Sequence, residues 1–178
     1  MLTVLGKPAA PGDAADLLLE CHERIRSFLT LSRRIAEAGP DERSAVPEAA
    51  ARVHRYFTQA LPLHARDEEE SVLPRLRGKD PRVDAELSTM VREHAEHEQP
   101  LGALVAACQL LAREPARYAA LAPRIAEVTG ELERHFAVHL RREEDIVFPA
   151  MRRLLDPSAD AEIVSEIRAR RQVPGGHA

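Results

Sequence analysis

The sequence contains no tryptophan, two tyrosines and four phenylalanines in 178 residues. So low an aromatic content argues against aromatic radical relays. Its two cysteines, Cys21 and Cys108, are too few for a disulfide scaffold, so a reducing cytoplasm is the expected location. There is no excess of positive charge. The net charge is −4 with a pI near 6.1, which offers no electrostatic footprint for DNA or RNA. No apolar run approaches the roughly 20 residues of a membrane span. Met1 to Pro11 lacks a basic stretch followed by a long apolar core, so no secretory signal is expected. Phosphate-binding loops, nucleophile elbows, CxxC pairs and dinucleotide fingerprints are also missing, which argues against nucleotide-dependent catalysis and serine hydrolase chemistry. Runs of β-branched residues are few and alternation is not sustained, so strands are not expected.

What is abundant is Ala, Leu, Arg and Glu, all strong helix formers, together with eight histidines. The length suits one domain. Pro, Gly and Asp punctuate the chain into five stretches. A first helix is predicted from near Asp13 to before Gly39-Pro40, and a second from after Pro47 to about Leu76, kinked at Pro62. A third runs from after Asp80-Pro81 to about Arg113, with a kink at Pro100. Glu114 to Pro123 is expected as a loop or a short turn. A fourth helix follows from about Pro123 to Leu155, and a short fifth over Ala161 to Arg171. The tail from Pro174 is expected to be disordered. Four long helices with short connections predict an all-α, antiparallel up-down-up-down four-helix bundle with an extra C-terminal helix. The expected domain plan is an N-terminal extension over 1–12, a bundle over 13–155, and a C-terminal helix and tail over 156–178.

The histidines fall on the inner stripes. On the third helix, Leu87, Met90, His94, His97, Leu101, Leu104, Cys108 and Leu111 recur in steps of three and four, an a/d seam. On the fourth, Leu132, His135, His139, Glu143 and Ile146 share one side. Phe57, Leu61, His64, Glu68 and Val72 do so on the second helix, and Leu18, His22, Ile25 and Leu29 on the first. A single histidine on an apolar face is an ordinary core residue. Several imidazoles with two carboxylates in one core are not. Unpaired buried charge costs several kcal/mol per group against a net stability of only about 5–15 kcal/mol. The nearby Arg66, Arg141 and Arg142 fall off the stripe. A cation is the economical partner, and His with Glu and no Cys suits iron, manganese or zinc.

An internal repeat frames the ligands. His64 to Pro74 and His139 to Pro149 both read H-x3-E-E-x4-P, offset by 75 residues. A weaker repeat relates the first and third helices. His22 aligns with His94 by its apolar lead-in, or His22-Glu23 with His97-Glu98 by the same offset of 75, and the register stays open. The pattern describes a helix pair that occurs twice, building a pseudo-two-fold site. Each H-x3-E pair projects from one helix face, and a glutamate with two oxygens can bridge two metals.

These motifs, together with Cys21-His22-Glu23 and Glu93-His94, resemble the hemerythrin-like, or HHE cation-binding, family. The resemblance spans about Ala14 to Leu155. It implies a four-helix bundle around a non-haem di-iron centre, two iron ions joined by an oxo or hydroxo bridge. By motif, the ligands it implies are His22, His64, Glu68, His94, His139 and Glu143, with Glu68 and Glu143 bridging. The family pattern has two histidines one turn apart on the third helix, where this chain has His94-x-x-His97. His97 is therefore taken as the seventh ligand, with Glu98 and the inward His135 as alternatives. The last carboxylate stands in H-x3-E, where oxygen-carrying hemerythrins have an aspartate one residue further on. Glu69, Glu70 and Glu144 are expected to be solvated or to orient the ligands. His54 is expected at the surface or in packing, and His177 has no expected role. Cys21 and Cys108 are expected as core residues.

The function implied is binding or sensing of O2, NO or peroxide, or of iron or redox state. The alternatives are a di-iron oxidase or peroxide-scavenging enzyme, and a regulatory bundle with a structural metal. A binding or sensor role ranks above an enzymatic one. The fifth helix is left to pack outside the bundle, or to contact a second copy or a protein partner.

Overall fold

The computed structural model describes residues 12–172, and within them the chain is all-helical. Five helices are present. Helix α1 is Ala14–Ala36, α2 runs over 46–76, α3 is Pro81–Arg113, α4 runs over 118–154 and α5 is Pro157–Gln172. The expected tail and His177 lie outside the described residues.

Sequence chemistry sets the ends. Asp13 caps α1 by accepting from the Asp16 backbone N–H, and Asp16 returns a bond to the Asp13 backbone. Asp80 caps α3 ahead of Pro81, whose missing N–H is harmless in the first turn. Gly78 closes α2 at a φ of 80°, a left-handed conformation that costs glycine nothing. Asp156 accepts from the Ala159 backbone N–H at 2.9 Å, so α5 begins four residues before the expected Ala161.

Helix α3 runs unbroken through Pro100, and α4 through Pro123, because α4 already starts at Tyr118. The expected loop over Glu114 to Pro123 is only a short 3-10 turn at Pro115–Arg117. In α2 and α4 the chain widens into π turns at Tyr56–Ala60, Asp67–Val72 and Glu143–Val147. Each ends two residues before a proline: Pro62, Pro74 and Pro149. A proline offers no N–H and crowds the carbonyl four residues back, and a wider turn accommodates both. Two of these π turns carry the E-E pairs of the repeat.

Side chains from the first four helices form two apolar clusters with a polar layer between them. One contains Ile25, Leu61, Leu104 and Leu132. The other contains Leu18, Val72, Met90 and Phe148. Along α1 the chain passes from Leu18 through His22 to Ile25, and along α3 from Met90 through the histidines to Leu104. Along α2 and α4 the order reverses, from Leu61 through His64 to Val72 and from Leu132 through His139 to Val147. The long helices contact one another in a closed ring: α1 with α2, α2 with α3, α3 with α4, and α4 with α1.

Helix α5 buries Ile163 and Ile167 in the second apolar cluster. Its arginines then reach α2, where Arg170 and Arg171 donate to the fully buried Asp67 at 2.8 and 2.7 Å. Helix α5 therefore covers α2 beside the polar layer. No helix among the described residues is long and apolar enough to cross a membrane.

Candidate metal centre

The polar layer gathers four imidazoles and two carboxylates. His22 comes from α1, His64 and Glu68 from α2, His94 from α3, and His139 and Glu143 from α4. All except His94 are at most 3% exposed. They form two groups whose ligand-type atoms lie within 4.8 Å of one another: His22, His64, Glu68 and Glu143, and then Glu68, His94, His139 and Glu143. Both glutamates belong to both groups.

Each carboxylate divides its oxygens between the two groups. Glu68 turns Oε1 to His64 Nε2 at 3.3 Å and Oε2 to His94 Nε2 at 3.3 Å. Glu143 turns Oε2 to His22 Nε2 at 3.1 Å and Oε1 to His139 Nε2 at 3.2 Å. Two adjacent ligands at about 2.1 Å from one ion, at a right angle, stand about 3 Å apart. These separations fit that spacing.

The donors are unsatisfied by the protein. His22 Nε2, both ring nitrogens of His64 and all four oxygens of Glu68 and Glu143 are buried without a hydrogen-bond partner. Each such atom costs on the order of 1–3 kcal/mol. A pair of cations would engage six of the seven, leaving His64 Nδ1, and the donor chemistry, imidazole with carboxylate and no thiolate, suits iron, manganese or zinc.

The other edges of the rings are held from outside. His22 Nδ1 donates to Glu144 at 2.8 Å, His94 Nδ1 to Glu69 at 2.6 Å, and His139 Nδ1 to Glu93 at 2.9 Å. A carboxylate only accepts, so it fixes the proton on Nδ1 and points Nε2 at the centre. The first glutamate of each E-E pair thus faces the centre, and the second crosses to a histidine of the other helix pair. Glu93 is itself fixed by Arg142 at 2.5 Å, and Glu144 by Arg26 at 2.7 Å.

Charge within the layer is strained. Burial pulls every imidazole down, but Glu143 and Glu68 outweigh it at His22 and raise it to about 10. Glu68 does the same at His94, to about 9. His64 and His139 remain dominated by burial and fall to about 4. Burial, and then the neighbouring Glu68, push Glu143 up to about 8.

The order in which these residues meet resolves the repeat register. His94, not His97, occupies the place equivalent to His22, at an offset of 72 rather than 75. His97 is buried but lies outside both groups, with its ring packed on Phe136 and His139. Of the alternatives for its place, Glu98 is exposed. His135 is exposed as well, contrary to its expected inward place. Leu132, Phe136, His139 and Glu143 form the buried seam of α4, and His135 is rotated about 100° from Phe136.

Residues 13–120, more than half of the chain, match the family model described as the hemerythrin HHE cation binding domain. The chain belongs to that family. The match covers α1 to α3 and reaches only the start of α4, so it takes in His22, His64, Glu68 and His94. His139 and Glu143 of this hemerythrin-like chain lie beyond it, and the internal repeat and the geometry join them to the cluster. No curated protein matches the chain. The sequence had marked Glu93 only as part of a motif and had left Asp67 unmarked. The adjacent pairs Cys21-His22 and Glu93-His94 were the available signal for Glu93, once the offset of 72 is used.

Proposed function

We propose that the chain is a non-haem di-iron protein of hemerythrin-like type that binds or senses O2, NO or peroxide, or iron or redox state. The observation carrying this is the division of Glu68 and Glu143 between two histidine pairs, the arrangement that two bridging carboxylates require. His22 and His64 would hold one ion, and His94 and His139 the other. His97, buried beside His139, is the candidate seventh ligand. When bound, the iron pair would supply redox chemistry and affinity for a small ligand. The residues around it hold His22, His94 and His139 in one tautomer, exclude water through the two apolar clusters, and keep both carboxylates aimed inward.

The bundle is best read as antiparallel and up-down-up-down, supported by the alternating order in which the helices cross the two apolar clusters. Its domain plan remains 13–155 for the bundle and 156–178 for the C-terminal helix and tail, with a cytoplasmic location. A second copy or protein partner at α5 would meet its charged outer face, since Ile163 and Ile167 are buried.

The test is metal content by mass spectrometry with an absorption spectrum, on untagged protein from iron-supplemented cells. About two irons per chain with charge-transfer bands are expected. No metal, and no uptake on anaerobic reconstitution, would overturn the proposal. Peroxide turnover well above that of free iron would move it to the enzymatic alternative.

A further inference from the structure

A cavity of about 530 Å³ lies between α1 and α2, beside the polar layer, with Arg171 of α5 in its lining. That volume falls within the usual range for a small-molecule site. Its apolar wall includes Phe28 and Tyr56, whose rings stack with centroids 4.0 Å apart, and Leu63. Four arginines share the lining: Arg24, Arg52, Arg55 and Arg171. No lining residue is acidic.

Three of these four arginines have little or no local countercharge. Arg171 is held by Asp67 at 2.7 Å. Arg24 meets Glu20 only at 3.8 Å, where both are well exposed. Arg52 and Arg55 have no ion pair among the described residues. Like charges around a hollow with low-dielectric walls repel one another and focus a positive field into it. A planar guanidinium pairs with a carboxylate through two hydrogen bonds.

We propose that this cavity binds a small organic anion, a carboxylate carried on an apolar or aromatic body. The arginines take the carboxylate, and Phe28, Tyr56 and Leu63 take the body. A bare inorganic anion would leave the apolar wall unused, and a neutral amphiphile would leave the arginines unused. The cavity also reaches His64, the one imidazole of the four whose Nδ1 has no carboxylate partner. Only His64 is shared with the candidate metal centre, so the proposal stands apart from the metal assignment.

The experiment is isothermal titration of the full chain, both metal-free and iron-loaded, with octanoate and benzoate. Inorganic phosphate and octanol are the comparison probes. One octanoate or benzoate per chain is expected with a Kd below about 1 mM. Phosphate and octanol should each bind at least tenfold more weakly. The R52Q/R55Q variant, changed at two exposed positions, should lose at least tenfold in affinity while keeping its circular dichroism. R52Q alone serves if the double variant fails to fold. Absence of binding to both protein forms would overturn the proposal. So would phosphate or octanol binding as tightly as the carboxylates, or unchanged affinity in the arginine variants. Carboxylate binding to a chain that never takes up metal would support this site while the di-iron proposal failed.

Discussion

The two H-x3-E-E-x4-P blocks agree where they face the centre and differ behind it. In both, the histidine Nε2 lies 3.2–3.3 Å from the glutamate one turn on. In both, the second glutamate crosses to a histidine of the other helix pair. Behind His139, Glu93 accepts from Nδ1 and is fixed by Arg142. Behind His64, the equivalent residue on α1 is Cys21, a poor acceptor, and Nδ1 has no partner. Asp67 stands where the other block has Arg142, with the charge inverted, and takes Arg170 and Arg171 from α5. A repeat can keep its ligand geometry while its supports diverge. One half is braced by its own helices and the other by an added helix, so the two metal positions would be alike in donors and unlike in rigidity.

The largest effects should come from the shared part. Glu68→Ala or Glu143→Ala removes a carboxylate common to both groups, and each is expected to abolish metal uptake at both positions. His64→Ala and His139→Ala remove a donor from one group each and should lose mainly one ion. Metal per chain after reconstitution and desalting separates these cases. A Glu68→Ala protein that keeps two ions would show that the halves do not share their glutamates.

Next comes the support that only the α2 half has. Asp67 is fully buried between two arginines that are only partly exposed. Asp67→Ala would leave both guanidinium groups without their carboxylate, and is expected to cost about 2–4 kcal/mol, mainly by loosening α5. Arg142→Ala, the matching change in the α4 block, removes a half-exposed partner and should cost under about 1 kcal/mol. Urea unfolding measures both. Equal losses would erase the distinction between the two kinds of brace.

Much of the shared part was legible in the sequence, and little of the divergent part. Helical periodicity put His22, His64, His94 and His139 on inner stripes, because burying one face of a helix imposes that spacing. The E-E pairs were visible because the repeat is exact at those positions. His135 misled because a four-residue step from His139 stays near the same face, while Phe136 fills the inward place with less desolvation cost. The π turns before Pro62, Pro74 and Pro149 were not legible as such. A proline signals a broken ladder, but whether the turn widens, as before Pro62, or stays α-helical, as around Pro100, is decided by packing. Asp67 with Arg170 and Arg171 joins positions over 100 residues apart, and no local pattern predicts that pairing.

A smaller effect tests the brace of the α4 half. Glu93→Gln keeps the shape but weakens the acceptor behind His139. It is expected to lower metal affinity at that position by about 10–100-fold, the usual result of removing a carboxylate that orients a ligand. Cys21→Ala, at the equivalent place behind His64, should change affinity by less than about threefold, since no hydrogen bond to His64 is lost. Competition titrations with a chelator give both numbers. A large effect at Cys21 would make the two halves functionally alike after all.

The smallest effect concerns the helix starts. Asp13 caps α1 and receives Arg152 from α4, as Asp80 caps α3 and receives Arg153. The hydrogen bond from Arg152, ahead of the opposing effect of burial and the backbone bond from Asp16, holds Asp13 below its ordinary value of 3.8. A carboxylate with a depressed folded pKa stabilises the fold above its unfolded value and stops doing so as pH falls through the folded one. Asp13→Ala is therefore expected to cost about 1 kcal/mol at neutral pH. The gap to the parent should stay constant down to about pH 4 and close below it as the parent's own Asp13 takes up a proton. Urea unfolding of the two proteins across that range follows the difference directly, and the other carboxylates, common to both, cancel. A gap that persists undiminished at low pH would show that Asp13 acts by shape rather than by charge. The tie between α1 and α4 would then owe nothing to Arg152.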